Sequence, residues 1–330
     1  MSKRSKRESH YHGLLVVDKE QDMTSQDVVN VVRRVANTRR VGHTGTLDPL
    51  ATGLMIILLG EATKLSEYLI TTDKIYEGEM ILGQRSNTYD IQGEIETFTE
   101  ARNVTLEEAQ NATHPYTGDI MQIPPPYSAV KIKGKKLYEY ARAGETIEAE
   151  ARPVRVDEYS ITHLEGNRAR FKIACSSGTY VRTLVHDLGR DLGCGALVAS
   201  LRRTEIEDFT LAESITLADL REKDLEELGE FIIPIMDSMT DWPIFYLSQD
   251  GKDWLLKGQA IPERLGQFDI ETPSPKLGDL IFLCPIGKDA IAIGELVACP
   301  PSNPPAALKG YIGRLIQPAK LLTTTHVEAD

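Results

Sequence analysis

Hydrophobic positions near the start of the chain follow two different spacings. Residues 14–19 (LLVVDK) form a short apolar run, which predicts a strand. In residues 26–37 (QDVVNVVRRVAN) the valines recur at intervals of three and four, so they share one face of a helix. Thr24 or Ser25 stands where this helix would begin and can cap its first turn. The pattern therefore predicts a strand followed by an amphipathic helix.

The middle of the chain changes from strand spacing to helix spacing. Residues 74–83 (KIYEGEMILG) alternate loosely between apolar and polar positions, and residues 168–177 (RARFKIACSS) alternate clearly. Residues 178–193 (GTYVRTLVHDLGRDLG) instead carry an apolar stripe at helical spacing. We therefore expect an α+β body with a mostly antiparallel sheet.

The character of the chain changes at Asp241, where short segments are broken by proline and glycine. Short strands with turn signals at this spacing predict a small β-barrel. The sequence thus predicts two domains, residues 1–240 and 241–330, joined through residues 225–240.

The most distinctive loop is residues 42–53 (GHTGTLDPLATG), which leads into an apolar run, LMIILLGEAT, typical of a buried strand or helix. It lacks the Gly-Lys-Ser/Thr ending of a P-loop and the glycine spacing of a dinucleotide fingerprint. Its single carboxylate, Asp48, precedes a proline. Asp48 is therefore either the side chain of an Asx-type turn or a chemical reagent.

Three further side chains stand near the ends of predicted elements, where they can converge on one pocket: Tyr76, Tyr180 and Arg182. Taken singly, such a tyrosine is usually packing and such an arginine is usually solvated. Together with Asp48 they have the residue types that chemistry on an extruded nucleobase requires. A guanidinium holds a carboxylate ionised, and an aromatic face stacks on a nucleobase taken out of its RNA structure.

The charge of the chain limits how it can bind nucleic acid. The formal net charge of −12 over 330 residues argues against indiscriminate binding of nucleic acid through overall attraction. The charges are nevertheless segregated, because residues 205–230 are strongly acidic whereas residues 128–144 are rich in lysine. We therefore expect one local basic surface on an otherwise acidic protein. The lysines of this surface that we expect to contact RNA are Lys131, Lys133, Lys135 and Lys136.

The remaining chemistry-bearing residues do not form a recognisable site. The four cysteines are far apart, so we expect buried, reduced thiols, and His10 and His12 alone do not make a metal site. No window has the length of apolar sequence that a membrane span needs, and the basic start lacks the apolar stretch of a secretory signal. We expect a cytoplasmic protein without metal, cofactor or membrane association.

Three motifs in this order resemble the TruB family of tRNA pseudouridine synthases, of the bacterial stand-alone type. They are GHTGTLDPLATGLMIILLGEATK, QIPPPYSAVKIKGKKLYEYARAGE and CSSGTYVRTLVHDLG, and weaker similarity runs through residues 14–320. The resemblance implies a pseudouridine synthase fold with a central mixed, mostly antiparallel sheet and a C-terminal PUA-like β-barrel. It implies isomerisation of the T-loop uridine of tRNA, position 55, by a monomer that needs no obligate protein partner.

The same resemblance implies a role for each candidate residue. Asp48 would be the catalytic aspartate, Arg182 would pair with it, and Tyr76 would stack on the target base. His43 would hold the target loop of the RNA, while Tyr180 and Leu201 would line the pocket. Residues 122–152, which include the four lysines, would form the RNA-clasping insertion.

Two segments depart from the family pattern. Lys19-Glu20-Gln21-Asp22 replaces Lys-Pro-x-Gly, and Ser86-Asn87-Thr88 replaces Thr-Asp-Thr, with Asp90 and Gly93 retained. We expect these changes to affect loop geometry and RNA contacts without touching the catalytic set.

Other functions remain open at this point. An inactive RNA-binding factor would have no need of Asp48, Tyr76 and Arg182 together. A carboxylate glycosidase acting on a free nucleoside would want a second, proton-donating carboxylate, which the sequence does not reveal. An RNA-guided relative would not need the complete tRNA-type insertion.

Overall fold

The computed structural model describes residues 9–97, 103–145, 147, 149–286, 290–298 and 314–322, and shows an α+β protein with two principal sheets. The strands up to residue 216 are β1 Gly13–Lys19, β2 Val41–His43, β3 Thr52–Leu59, β4 Lys74–Leu82, β5 Gln84–Ser86, β6 Ile95–Thr97, β7 Gly118–Gln122, β8 Lys131–Ile132, β9 Lys135–Lys136, β10 Arg152–Glu165, β11 Arg168–Cys175, β12 Ala196–Ile206, β13 Phe209–Thr210 and β14 Ile215–Thr216. The later strands are β15 Ile244–Leu247, β16 Ile261–Pro262, β17 Gly266–Phe268, β18 Leu280–Pro285, β19 Ala292–Ala298 and β20 Arg314–Leu321. The α-helices are α1 Ser25–Val35, α2 Ser66–Leu69, α3 Leu106–Asn111, α4 Leu137–Arg142, α5 Val181–Asp191, α6 Leu217–Glu222, α7 Leu225–Leu228 and α8 Gln249–Leu256.

The larger sheet is mixed and mostly antiparallel, in the order β14-β1-β3-β12-β4-β11-β10-β7. In addition, β2 pairs with β3, and β13 pairs with β12. Strand β12 lies parallel to β3 and antiparallel to β4, which makes it the centre of the sheet. This arrangement confirms the predicted fold class, and it places the loop before β3 next to the strands that carry Tyr76 and Leu201.

The continuous apolar run after the loop is explained by a sheet that is covered on both faces. Alternate residues of β3 enter two different cores: Met55 and Ile57 face the helices α1 and α5, whereas Leu54 and Ile56 face the opposite side. A strand buried on both faces has no polar alternation. The alternatives of strand and helix are thus resolved in favour of a strand, and the loop is carried by one of the most buried elements.

The predicted first helix is present, and Thr24 caps it. The Thr24 hydroxyl accepts a hydrogen bond from the Asp27 amide at 3.1 Å, and the Asp27 carboxylate accepts one from the Thr24 amide at 2.9 Å. This reciprocal capping box satisfies two backbone donors that would otherwise lack partners. The helix begins at Ser25, one residue before the predicted start.

The second sheet, in the order β16-β20-β19-β18-β15-β17, curls as a half-barrel and packs on the side of the large sheet away from α1 and α5. Trp242 lies between the two units, with its ring 5.2 Å from that of Tyr68 and 5.1 Å from that of Phe282. The Lys64 ammonium also donates to the Leu321 carbonyl at 2.8 Å. Tyr76 and Leu201 belong to the core on the opposite face, which also contains residues of α1 and α5.

Candidate active site

The loop that carries Asp48 is fixed by its neighbours on both sides. The amide of Leu47 donates to the Ser25 hydroxyl at 2.8 Å, and the Pro49 carbonyl accepts from the Asp22 amide at 2.8 Å. The side chains of Leu47 and Leu50 are buried in the core. Packing therefore holds the residues around Asp48, while 39 % of its own side chain remains exposed.

The Asp48 carboxylate is bound by Arg182 in the first turn of α5. The Arg182 Nε donates to Asp48 Oδ2 at 2.8 Å, and the Arg182 side chain is only 6 % exposed. Its Nη1 donates to the Thr88 carbonyl at 2.7 Å and its Nη2 donates to the Tyr127 carbonyl at 3.1 Å. The segments around Asp48, Thr88 and Tyr127 thus fix the plane of the guanidinium. The guanidinium in turn orients the Asp48 carboxylate.

Tyr76 and Leu201 lie on neighbouring strands beside this pair. Tyr76 of β4 stands opposite Arg203 of β12, and Leu201 stands opposite Gly78 two residues further along. Tyr76 and Leu201 are each 8 % exposed. Burial raises the pKa of the Tyr76 phenol, the Arg203 cation opposes that rise, and the nearby Asp48 carboxylate adds to it. The phenol is therefore neutral at physiological pH and lies within electrostatic reach of Asp48.

His43 and Tyr180 border the same region from two other elements. His43 is the last residue of β2, directly before the loop, and burial together with the Arg203 cation lowers the pKa of its imidazole. Tyr180 is the N-cap of α5. Its amide donates to the Gln122 side chain at 2.8 Å, and its carbonyl accepts from the same amide group at 3.1 Å. Gln122 therefore fixes the start of the helix that carries Arg182.

The four lysines lie on a two-stranded hairpin, with Lys131 paired to Lys136 across β8 and β9. Lys133 and Gly134 form its tip with φ of 49° and 85°, the left-handed values that a tight two-residue hairpin turn requires. Among the described residues, none of the four ammonium groups has a carboxylate within 4.0 Å. The hairpin is thus a basic projection, and its root at Tyr127 touches Arg182.

Family models match most of this framework. The model described as "TruB family pseudouridylate synthase (N terminal domain)" matches residues 33–181, and "tRNA pseudouridylate synthase B C-terminal domain" matches residues 182–240. The chain belongs to the TruB family of pseudouridine synthases. It is therefore an enzyme that isomerises uridine to pseudouridine. The boundary between the two matches falls at Arg182, so both matched segments contribute to the Asp48–Arg182 pair.

Relatives of this TruB-family chain cover most of its length. It is 45 % identical over 255 residues to "tRNA pseudouridine synthase B" of Pseudomonas putida, which covers 76 % of this chain and 83 % of the relative. It is 38 % identical over 300 residues to the protein of the same name from Mannheimia succiniciproducens, which covers 88 % of this chain and 97 % of the relative. A solved Cbf5-Nop10-Gar1 complex contains a chain of the same fold, with a TM-score of 0.69 at 22 % identity over 94 % of this chain and 85 % of the other.

Two charged residues of the TruB-family site are not predicted by the sequence. Arg203 is 1 % exposed, and it donates from Nε to the Leu54 carbonyl at 2.7 Å and from Nη2 to the Gly45 carbonyl at 3.2 Å. Its guanidinium lies 6.0 Å from the centre of the Tyr76 ring. Asp90 is a second carboxylate near Arg182; unlike Asp48 it is buried, and it lies 3.7 Å from Arg182 Nη1. The Asp90 carboxylate also accepts from the Thr88 hydroxyl and the Gln92 amide, so it is fully engaged inside the protein.

The two segments that depart from the family pattern lie next to the candidate catalytic residues. The Thr88 carbonyl binds Arg182, and the Asp22 amide holds the carbonyl of Pro49 beside Asp48. Asp22 occupies the position of the family's glycine and has a φ of 62°, which explains why glycine is usual there. Lys19, from the same segment, is buried and donates to the Pro49 carbonyl at 3.4 Å.

Metal-ligating clusters and membrane-spanning helices are both missing from the part of the chain that the structure describes. Within those residues, no group of three or more His, Cys, Asp or Glu side chains could hold a metal ion. No helix in the same described ranges is long and apolar enough to cross a membrane. Cys175, Cys194 and Cys284 are buried and form no disulfide within the described residues, and Cys299 lies outside them.

Proposed function

We propose that the protein isomerises the T-loop uridine of tRNA, position 55, to pseudouridine, with Asp48 as the catalytic group. One observation carries the proposal: a half-exposed carboxylate is held at 2.8 Å by a buried arginine of α5. Such a carboxylate is oriented and accessible. The relatives named tRNA pseudouridine synthase B support tRNA as the substrate.

The reaction needs one carboxylate because it is an isomerisation. The bond from N1 of uracil to C1′ of ribose breaks, the uracil turns, and a bond from C5 to C1′ forms. The proton on C5 is lost and N1 gains one, so atoms and electrons balance without an oxidant. Asp48 acts either as a nucleophile or as a base toward a ribose proton, and both routes require the ionised side chain that Arg182 stabilises.

The neighbouring residues would hold the base and the RNA loop. Tyr76 stacks on the extruded uracil, and Leu201 and Tyr180 line the pocket around it. Tyr76 lies next to Arg203, whose charge favours any negative charge that develops on the phenol or on the base. His43, directly before the catalytic loop, contacts the RNA loop from which the base has been extruded.

The basic hairpin would hold the T-arm. Lys131, Lys133, Lys135 and Lys136 project without carboxylate partners among the described residues, and phosphates are the natural partners of such a group. The insertion of residues 122–152 begins at Gln122 and passes through Tyr127. Both of these residues contact the helix of Arg182, so RNA held by the hairpin lies next to Asp48.

We also propose a division of labour between two domains. Residues 1–240 carry the large sheet and every candidate catalytic residue, and residues 241–330 form a PUA-like RNA-binding domain around the curled sheet. The solved relatives include Cbf5 with Nop10 and Gar1. In this proposal the protein needs no protein partner, because its own insertion would supply the RNA contacts, and it works as a monomer in the cytoplasm.

The test is to incubate the purified protein with an unmodified tRNA transcript and to map pseudouridine at each position. We expect modification at position 55 and nowhere else in the transcript. A transcript in which cytidine replaces that uridine is the matched control and should stay unmodified. Pseudouridine at another position would overturn the site assignment, and its absence from every transcript would overturn the proposed function.

A further inference from the structure

The segment between β5 and β6 contains a strained residue beside the catalytic arginine. Tyr89 has a φ of 65°, in the left-handed region that an aromatic residue rarely adopts. Its two neighbours are the residues that approach Arg182: Nη1 donates to the Thr88 carbonyl at 2.7 Å and lies 3.7 Å from the Asp90 carboxylate. A strained backbone persists only where its surroundings enforce it.

The backbone of Tyr89 is held by two hydrogen bonds. Its amide donates to the Ser86 carbonyl at 3.3 Å, and its carbonyl accepts from the Val198 amide at 3.0 Å. A further hydrogen bond to the same residue of β12 comes from the Ile91 amide, which donates to the Val198 carbonyl at 2.9 Å. These backbone hydrogen bonds attach the segment to β12, the central strand of the sheet, but they do not fix the orientation of the Tyr89 side chain.

The side chain of Tyr89 is held by His186. The two rings are stacked, with centres 3.7 Å apart and planes 10° apart. His186 lies four residues after Arg182 on α5, so both side chains emerge on the same side of the helix. One helix face therefore contacts the Thr88–Asp90 segment twice, through a guanidinium and through an aromatic stack.

The charges around the stack favour a neutral imidazole. Burial lowers the pKa of His186, and the cations of Arg190 and Arg85 lower it further. The Asp187 carboxylate faces Tyr89, whose phenol pKa is raised mainly by burial. A neutral imidazole against a neutral phenol ring is a stable pair at the pH at which a cytoplasmic enzyme works.

We propose that the Tyr89–His186 stack is a positioning pair for the catalytic centre. It holds Tyr89 in its strained conformation, which keeps the Thr88 carbonyl and the Asp90 carboxylate directed at Arg182, and Arg182 in turn orients Asp48. Tyr89 directly follows the Ser86-Asn87-Thr88 segment, and His186 lies on the helix that carries Arg182, so the stack links the two elements that meet at the guanidinium. The inference rests on the proposed role of Asp48.

The experiment compares three variants at one position. Tyr89→Phe keeps the stacking ring, Tyr89→Gly removes the ring while permitting the same φ, and Tyr89→Ala removes the ring and keeps the strain. We measure the single-turnover rate of pseudouridine formation and the Kd for a tRNA transcript. We expect Tyr89→Phe to match the parent, and we expect Tyr89→Gly and Tyr89→Ala to lose about tenfold in rate, or about 1.4 kcal/mol, with unchanged Kd.

Coupling to Arg182 separates positioning from a general structural role. In a double-mutant cycle, Tyr89→Gly should reduce the single-turnover rate much less in a protein that already carries Arg182→Lys, because the guanidinium that the stack positions is no longer there. Tyr11→Ala is the control, since it removes an edge-to-face ring pair with His10, 4.7 Å between centres, and a hydrogen bond from its hydroxyl to the Leu225 carbonyl, outside the proposed catalytic and RNA-binding groups. This control should lower the melting temperature and leave the single-turnover rate unchanged.

The outcomes are distinct. A parental rate in Tyr89→Gly, or a cost that adds fully to that of Arg182→Lys, would overturn the positioning role and leave the proposed function intact. If the unmodified protein forms no pseudouridine in tRNA, the proposed function fails first. His186→Ala gives an independent check, because removal of either ring must slow the reaction to the same extent.

Discussion

The Asp48 carboxylate and the Arg182 guanidinium meet at 2.8 Å although 134 positions separate them in the chain. Asp48 stands on a loop before the doubly buried strand β3, and Arg182 stands on the first turn of α5. Both supports are rigid, because the residues flanking Asp48 and the residues of α5 that face the sheet are buried in one core. A site built on two such elements keeps its geometry without a ligand.

The geometry of Arg182 predicts that lysine is a poor replacement. Lysine keeps the charge but cannot bind Asp48, the Thr88 carbonyl and the Tyr127 carbonyl in one plane. Loss of one hydrogen bond to a charged group costs about 1.5–3 kcal/mol, so Arg182→Lys should slow single turnover by about ten- to a hundredfold. Arg168→Lys, at an exposed ion pair with Glu79, is the matched control and should keep the parental rate. A parental rate in Arg182→Lys would contradict this account.

Much of this site follows from the sequence, but its buried charges do not. The loop, Tyr76 and Arg182 stand out through residue type and position. Arg203 does not stand out, because adjacent arginines usually indicate a solvated face. The usable signal is strand periodicity: Arg203 shares a face of β12 with the candidate residue Leu201, whereas Arg202 emerges on the other face and pairs with Asp18 at 2.7 Å.

Asp90 shows a different limit of prediction from sequence. The family resemblance marks its position in the chain, but its approach to Arg182 depends on the left-handed backbone of Tyr89 and on a bridge to β12. Local propensity does not predict such a conformation for an aromatic residue. Interactions that depend on strained loops therefore become visible only in the folded chain.

The hydroxyl and the ring of Tyr76 should contribute separately. Tyr76→Phe should keep the affinity for tRNA and lower the single-turnover rate, because the ring still stacks but no phenol can exchange a proton at C5. Tyr76→Leu should also lose the stack, which is worth about 1–3 kcal/mol per base. Tyr246→Phe removes a phenol that donates to Asp269 at 2.9 Å in the second sheet, and it should leave the rate unchanged. Equal parental rates for both Tyr76 variants would remove Tyr76 from the site.

The lysine hairpin should determine affinity and not chemistry. Replacing Lys131, Lys133, Lys135 and Lys136 by alanine should weaken tRNA binding and reduce the slope of log K against log salt by about 0.7–0.9 for each phosphate that the variant no longer binds. The same four positions changed to arginine keep the charge and should keep the slope. Binding is measured by filter retention at several salt concentrations. A slope that does not change in the alanine variant would refute RNA binding by the hairpin.

Lys74 predicts a dependence of stability on pH. Burial is the main cause that lowers the pKa of its ammonium group from 10.5 to about 8. Below pH 8 both the folded and the unfolded chain carry the proton, so the whole penalty of burying the cation is present there. Between about pH 8 and 10.5 only the unfolded chain keeps the proton, so the contribution of Lys74 to stability rises with pH. The gain in stability of Lys74→Met over the parent should therefore be largest near pH 7 and should disappear toward pH 10.

The measurement is the melting temperature of the parent and of Lys74→Met at pH 7, 8, 9 and 10. Taking the difference between the two proteins removes the titration of groups that both contain. The lysine hydrogen bonds to the Thr72 and Ile70 carbonyls are absent from the variant at every pH and shift the difference by a constant. A difference that stays constant with pH would show that Lys74 titrates normally.

The central claim is that Asp48 is a reagent, and one substitution tests it directly. Asparagine keeps the shape of the side chain and suits turns, so it is a good replacement for a turn former and a poor one for an anion that attacks or abstracts a proton. Asp18→Asn is the control, because Asp18 is also an aspartate paired with an arginine, Arg202, at 2.7 Å. The measurement is single-turnover pseudouridine formation with enzyme in excess, alongside tRNA binding. We expect Asp48→Asn to bind as the parent does and to form no pseudouridine; formation at the parental rate would contradict the account.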